Sequence, residues 1–225
     1  MSHVDNARFA EIESAFHEFV MREQFPCLGA RATISQDAGL VRVFGALGDA
    51  GNAELMRSTL TEFGERAKSE QDPFLSLIAV FPDTSITSEA EFDDLLWRQL
   101  EQLRCADTET AAAVGRASDD PEDPHFSFRF GGVPYFVVGL SPVSSRVARR
   151  FSWPTLVFNP HSVFERLRAE GKYDRLKTRI REREMALQGS LNPNLADFGE
   201  VSEARQYSGM VHEAEWKCPF HKKGS

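Results

Sequence analysis

The spacing of apolar positions along the chain predicts several amphipathic helices. In residues 4–22, Ile12, Phe16 and Phe19 recur at intervals of three and four, which places them on one helical face. In residues 88–104 the same spacing follows a serine and two glutamates, an arrangement typical of a capped helix start. The predicted helices cover residues 4–22, 52–68, 88–104, 161–169 and 173–187.

Shorter apolar runs predict strands. Residues 74–81 are apolar almost throughout, which is typical of a strand buried on both faces. Residues 126–130 alternate phenylalanine with other residues, and the glycine pair at 131–132 predicts a hairpin into the next strand. The predicted strands cover residues 39–46, 74–81, 126–130, 135–140 and 155–158.

The order of these elements predicts an α/β or α+β fold, with a mixed β-sheet covered by helices. A chain of 225 residues suits a single domain. We place that domain at residues 1–221 and expect 222–225 to be a disordered tail. Residues 188–221 lack a regular pattern but contain Tyr207 and Trp216, so we expect a long irregular C-terminal segment that packs back onto the core.

Charge and composition disfavour several classes of protein. The formal net charge is −8, which argues against nucleic acid as a partner because such binding needs a basic surface. No apolar run approaches the roughly 20 residues of a membrane helix, and the N-terminus lacks the apolar core of a secretory signal. The three widely spaced cysteines, an odd number, indicate a reducing compartment, so we expect a cytoplasmic protein.

Two residues are candidate metal ligands, although the usual phosphate-loop, dinucleotide, zinc-protease and nucleophile-elbow motifs are absent from the sequence. His161 lies where a predicted strand meets a predicted helix, and imidazole is the commonest metal ligand. A histidine that only caps a helix would occupy the same position. Cys218 precedes a proline and lies between Trp216 and Phe220, a setting that suits a haem thiolate. An inert buried cysteine would have the same surroundings.

A third cysteine also has aromatic and proline neighbours. Cys27 follows a Phe-Pro pair, which mirrors the Cys-Pro-Phe sequence at Cys218. A contact between Cys27 and Cys218 is compatible with the sequence, whereas a buried cysteine in a turn is the simpler interpretation.

Two polar clusters are candidate binding groups. One is a basic stretch that either binds an anion or forms a solvated helix face. It consists of Arg146, Arg149 and Arg150. The other lies in the irregular segment, where a carboxylate would form a two-pronged ion pair with a guanidinium-like ligand; a solvated loop would instead satisfy its own backbone. Its residues are Glu203, Gln206 and Tyr207.

Taken together, these segments resemble the YqcI/YcgG family over nearly the whole chain and in the order of that family. No single segment is specific, but their combination is. The segments are Phe25-Pro26-Cys27, the hairpin 126–139, Ser145 to Phe151, Val157-Phe158-Asn159-Pro160-His161, Leu187 to Pro193, Glu203 to Gly209 and Cys218-Pro219-Phe220.

The resemblance implies a function that the residues alone do not. Characterised members of the family are haem-containing enzymes that hydroxylate a nitrogen of guanidine groups, in D-cycloserine and guanitoxin biosynthesis. A similar protein would bind haem b. His161 would then be the first choice of axial ligand and Cys218 the alternative, since a ligand at a helix start is held more rigidly than one in an irregular segment.

The resemblance also implies roles for the polar clusters. The arginines would bind the haem propionates by charge complementarity. The haem-binding residues would be Arg146, Arg149, Arg150 and Phe158, and the substrate-binding residues Glu203, Gln206 and Tyr207.

We therefore expect a haem-dependent monooxygenase that N-hydroxylates a guanidine or another small nitrogenous metabolite with O₂ or peroxide. The sequence has no flavin or nicotinamide fingerprint, so electrons would come from an external reductase or from peroxide. A homodimer is compatible with the sequence, and no nucleic-acid or membrane partner is expected. The alternative functions are a haem-binding or haem-sensing protein without turnover and a small-ligand protein without haem.

Overall fold

A computed structural model gives the arrangement of most of the chain. The described residues are 6–69, 74–107, 118–197, 199–213 and 215–220. The tail predicted at 222–225 lies outside these residues. The described part forms a single α+β domain built on one mixed sheet, as the sequence predicts.

Five strands form the sheet within the described residues. In spatial order they are β1, β2, β5, β4 and β3. The first two pair in parallel and all other neighbours pair antiparallel. The strands are β1 (Gly39–Val43), β2 (Ser76–Val80), β3 (Phe128–Phe130), β4 (Val133–Leu140) and β5 (Thr155–Pro160).

Helices cover both faces of this sheet. One face packs against α1 and α2, and the other against α3 and α4, while α5 and α6 follow β5 and lie beside the first face. No helix within the described ranges has the length and apolarity needed to cross a membrane. The helices are α1 (Asn6–Met21), α2 (Leu28–Ser35), α3 (Ala53–Ser69), α4 (Glu89–Ala106), α5 (His161–Ala169) and α6 (Tyr173–Gln188).

Two local predictions are confirmed in atomic detail. The β3–β4 hairpin turns at Gly131 and Gly132, whose φ angles of 56° and 73° are the left-handed values that glycine tolerates and a tight hairpin requires. The start of α4 is capped by Ser88, whose hydroxyl accepts a hydrogen bond from the amide of Glu91 at 3.1 Å.

The helix α2 is absent from the sequence-based prediction. It is only eight residues long and has one fully buried side chain, Thr33, so it lacks the long stripe of apolar positions that predicts the other helices. The helix is fixed at its start by Cys27, whose sulfur accepts a hydrogen bond from the amide of Ala30 at 3.4 Å. Serine, threonine, aspartate and asparagine are the usual residues at this position, so a cysteine here does not indicate the start of a helix.

The segment 189–220, called the C-terminal segment below, packs onto the core as expected. Ala204, Tyr207, Cys218 and Phe220 are buried in the cluster formed by α3, α4 and their face of the sheet. Within the described part of the segment, regular structure is limited to one 3-10 turn, Glu203–Gln206. The turn brings polar side chains to the edge of the sheet next to α5.

Candidate functional site

His161 begins α5 directly after the last residue of β5, and its side chain is buried. Its Nε2 atom lies 3.2 Å from Oε1 and 3.1 Å from Oε2 of Glu203, which is also buried. The turn of the C-terminal segment thus supplies a carboxylate to an imidazole that the sheet holds. Burial raises the pKa of Glu203 above its ordinary value, and the hydrogen bond from His161 opposes that shift.

Tyr207 fixes the carboxylate from the other side. Its hydroxyl donates to Oε1 of Glu203 at 2.6 Å and accepts from the backbone amide of Phe128 at 2.9 Å. The ring stacks on Trp97 of α4, with ring centroids 5.6 Å apart. Burial and the neighbouring carboxylate both raise the pKa of Tyr207, so the phenol remains protonated and acts as a donor. The imidazole, the carboxylate and the phenol therefore form one continuous buried network.

His161 and Glu203 open onto a cavity of about 240 Å³, which we call the smaller cavity. Its apolar wall comes mainly from β4, α5 and α6, and positively charged side chains stand around it. The apolar residues include Phe136, Phe164, Leu176 and Ile180, and the cations are Arg168, Lys177 and Arg181. A cavity with apolar walls and a few convergent polar groups is typical of a ligand site.

A second cavity, of about 320 Å³, lies between the sheet and helices α1, α2 and α6; we call it the larger cavity. On this face of the sheet, alternate side chains of β4 are only half-buried, whereas most of their neighbours on the opposite face are buried. Both cavities share part of their wall, including Phe136, Ile180, Glu184 and Gln206. The polar residues that line the larger cavity include Cys27, Arg146, Arg149 and Asn192.

Comparison with known proteins identifies the family. A sequence model of the YqcI/YcgG family matches residues 16–221. The chain belongs to the YqcI/YcgG family. It is 28% identical over 212 residues to the uncharacterized protein YqcI of Bacillus subtilis (strain 168), covering 88% of this chain and 81% of that protein. It is also 28% identical over 208 residues to the uncharacterized protein YcgG of the same organism, with the same coverage. No solved structure matches the chain at a significant level.

The three arginines of this YqcI/YcgG member have different surroundings. Arg146 forms an ion pair with Glu184 and donates to the backbone oxygen of Ser190 at 2.7 Å. Arg150 is exposed and donates to the backbone oxygen of Ser144 at 2.8 Å, and it does not line either cavity. Arg149 lines the larger cavity. The role in propionate binding that we expected of all three is compatible with the position of Arg149 and poorly compatible with that of Arg150.

The remaining candidates lie away from His161. Phe158 is buried in the core between Phe128 and Tyr135, on the face that packs against α3 and α4, and lines neither cavity. Cys218 lies on the same face, in contact with the same cluster, and burial raises the pKa of its thiol. Cys27 packs on the opposite face, and both thiols are free, so the contact between Cys27 and Cys218 does not form.

Another buried polar pair, which the sequence analysis does not predict, lies on the α4 side of the C-terminal segment. His212 stacks on Trp216, with ring centroids 4.1 Å apart, and its Nε2 atom lies 3.6 Å from Oδ1 of Asp93. That distance is too long for a hydrogen bond. Within the described residues these two atoms and Nδ1 of His212 have no hydrogen-bond partner. The two residues are 119 positions apart, and neither belongs to a recognisable motif.

Proposed function

We propose that this chain binds haem b at the smaller cavity through His161 and uses it to oxidise a nitrogen of a small metabolite. The observation that carries the proposal is the buried imidazole of His161, which lines an apolar cavity and is backed by the carboxylate of Glu203. Histidines that bind metals usually pair with a carboxylate or carbonyl in this way, because the pair orients the ring and strengthens it as a ligand.

The types of residue around His161 suit a haem. The apolar walls suit a flat macrocycle, and the nearby cations Arg168, Lys177 and Arg181 suit its two propionates. Lys177 and Arg181 share Asp197 as their counterion. Between the two candidate axial ligands, the surroundings favour His161, because Cys218 lines neither cavity.

The residues of the chain would then have different roles at the cofactor. His161 holds the cofactor, while Glu203 and Tyr207 orient the imidazole. When bound, haem supplies the activation of O₂ or peroxide. Gln206 lines both cavities, and its Nε2 atom donates to the backbone oxygen of Ala196 at 3.2 Å. Its amide oxygen is a candidate acceptor for the N–H group of a guanidine. Glu203, which we expected to bind such a substrate directly, is already engaged by His161 and Tyr207 and acts as a positioning residue in this proposal.

The family resemblance supports the same reaction class, and an external reductase or peroxide completes the electron supply. The three cysteines are free thiols, which agrees with the cytoplasmic location that we propose. A homodimer stays a prediction from the sequence.

The test is the absorption spectrum of the chain expressed with a haem precursor. We expect one haem per chain, with the ferrous–carbon monoxide spectrum of an imidazole-ligated haem. His161→Ala should abolish stoichiometric haem binding, and Cys218→Ala, the matched control, should preserve both the haem and its spectrum. A Soret band absent after haem supply, or a spectrum altered by Cys218→Ala and unchanged by His161→Ala, would contradict the proposal.

Turnover requires a second measurement. Haem-loaded chain supplied with oxygen and an external reductant, or with peroxide alone, should consume the oxidant in proportion to an added guanidine compound and should release the N-hydroxylated product. A stoichiometric haem without any such dependence across a panel of guanidines would favour the haem-sensing alternative.

A further inference from the structure

Arg149 is one of the residues that line the larger cavity. The Nη1 atom donates to the backbone oxygens of Tyr207 at 2.8 Å and Gly139 at 3.3 Å. The Nε and Nη2 atoms have no acceptor among the described residues, and both keep accessible surface. These two atoms carry the parallel pair of N–H groups with which arginine binds a carboxylate through two hydrogen bonds.

Within the described residues, the charge of Arg149 has no counterion. The nearest candidate, Glu184, is engaged in the ion pair with Arg146, and within the described residues no carboxylate lies within ion-pair distance of Arg149. Burial lowers the pKa of Arg149 to about 10, so the group is still charged at neutral pH. An isolated buried charge is costly in free energy, and an anion supplied by a ligand would remove that cost.

Most of the other side chains that line the cavity are apolar, and the polar ones include Arg146, Glu184 and Asn192. Its walls are made by side chains of α1, the sheet and α6, among them Phe19, Ile78, Val138, Leu140 and Ile180. A volume of about 320 Å³ falls in the range of small-molecule sites. The shape and chemistry therefore suit an apolar body that carries a single acidic group.

We propose that the larger cavity binds a small amphipathic carboxylate, whose carboxylate pairs with Nε and Nη2 of Arg149 and whose apolar body lies along β4 and α6. This assignment stands without the haem proposal, because it uses neither His161 nor any cofactor. Two sources supply this chemistry: a free carboxylic acid and a propionate of a haem bound next to it. Both sources would place a carboxylate on Arg149.

The test uses haem-free chain and isothermal titration with two probes of equal length, octanoate and 1-octanol. We expect one octanoate per chain and at least tenfold weaker binding of the alcohol. Arg149→Met should lower the affinity for octanoate by tenfold or more, to the affinity of the wild type for the alcohol. Arg179→Met, the matched control, removes an exposed arginine of α6 that lines neither cavity and should leave the affinity unchanged. Equal affinities for both probes, no saturable octanoate binding, or octanoate affinity unaffected by Arg149→Met would each overturn the proposal.

Because Arg149→Met also removes bonds to two backbone carbonyls, a second variant tests the cavity without touching them. Val138→Phe fills the apolar part from strand β4, where an aromatic side chain is well tolerated. We expect it to keep the near-ultraviolet circular dichroism of the wild type and to lose octanoate binding. Wild-type affinity in a folded Val138→Phe chain would overturn the assignment.

A last titration separates the two sources, with haem-loaded chain as the receptor. Octanoate binding that persists with unchanged affinity supports a free carboxylic acid as the ligand. Octanoate binding that is lost on haem loading supports a haem propionate at Arg149.

Discussion

The Nε2 atom of His161 lies almost equally far from both carboxylate oxygens of Glu203, at 3.2 Å and 3.1 Å. One negative group therefore faces one ring nitrogen, and the charge of the carboxylate acts on whatever the imidazole binds. If His161 ligates haem iron, this charge stabilises the ferric form relative to the ferrous form.

Glu203→Gln should therefore raise the midpoint potential of the bound haem. The substitution keeps the size of the side chain and an acceptor for Tyr207, but it removes the negative charge. Spectroelectrochemical titration would measure the shift. Asp197→Asn is the control, because Asp197 lines the same cavity but pairs with Lys177 instead of His161. A potential that moves equally in both variants would show that the carboxylate behind His161 has no special influence.

Tyr207→Phe should destabilise the fold by about 2 kcal/mol, because it leaves the buried amide of Phe128 without its acceptor and removes one hydrogen bond to Oε1 of Glu203. Urea unfolding followed by tryptophan fluorescence would measure the change. Tyr173→Phe, at a half-exposed residue in α6, should change the free energy of unfolding by less than about 0.5 kcal/mol. Equal effects of the two substitutions would contradict the role of the Tyr207 hydroxyl.

Two glycine-to-alanine substitutions should have effects of opposite sign. A Cβ atom at Gly139 would lie 2.8 Å from the ring of Phe92 and 2.9 Å from Leu96, so Gly139→Ala should cost about 2 kcal/mol of stability. A Cβ atom at Gly29, within α2, meets only the sulfur of Cys27 at 3.8 Å. Gly29→Ala should stabilise the fold by about 0.5 kcal/mol through helix propensity. Thermal unfolding of both variants would check the pair, and two changes of the same sign would be inconsistent with this packing.

Asp93 and His212 should have opposite effects on stability as pH changes. Burial raises the pKa of Asp93 from 3.8 to about 6, so its contribution to stability is lost as pH rises through that window. Burial lowers the pKa of His212 from 6.5 to about 4, so its contribution is lost as pH falls through that window. Between about pH 4 and 6, Asp93 and His212 together therefore bind the same number of protons in the folded state as in the unfolded state. Their effects on the pH dependence of stability cancel in this range.

Single substitutions should reveal each dependence. Relative to the wild type, Asp93→Asn should lose about 3 kcal/mol of stability as pH falls from 6.5 to 4, because only His212 then titrates. His212→Phe keeps the contact with Trp216 and should lose about 3 kcal/mol as pH rises from 4 to 6. Chemical denaturation across this range would measure both slopes. Parallel slopes in the two variants would show that the residues do not titrate as described.

Features that depend on residues close together in the sequence were easier to predict than features that depend on distant residues. The β3–β4 hairpin and the capped start of α4 depend on residues within a few positions of each other, and both were predicted. The short helix α2 was missed because its cap is a cysteine and its residues lack a buried stripe. The mixed sheet followed from the order of elements, but the parallel pairing of β1 with β2 had no local signal.

Several residues of the candidate site could be predicted from the sequence, but the contacts between them could not. His161 and Glu203 were both expected to be functional, for separate reasons, yet they are 42 positions apart and meet only because the C-terminal segment packs against α5. Arg146 and Arg150 were expected to bind an external anion, whereas the fold uses them on Glu184 and a backbone carbonyl. No pattern in the sequence distinguishes an arginine whose donors bind groups of the same protein from Arg149, whose Nε and Nη2 atoms have no acceptor among the described residues.

The position of Glu203 also has a consequence for synthesis on the ribosome, where chains emerge N-terminal end first. All five strands described here precede His161, and the carboxylate that faces this histidine is added 42 residues later. The sheet therefore has its full set of strands while the imidazole still lacks its partner. Cofactor capture through the His161–Glu203 pair would belong to the final stage of maturation, after the scaffold that supports it already exists.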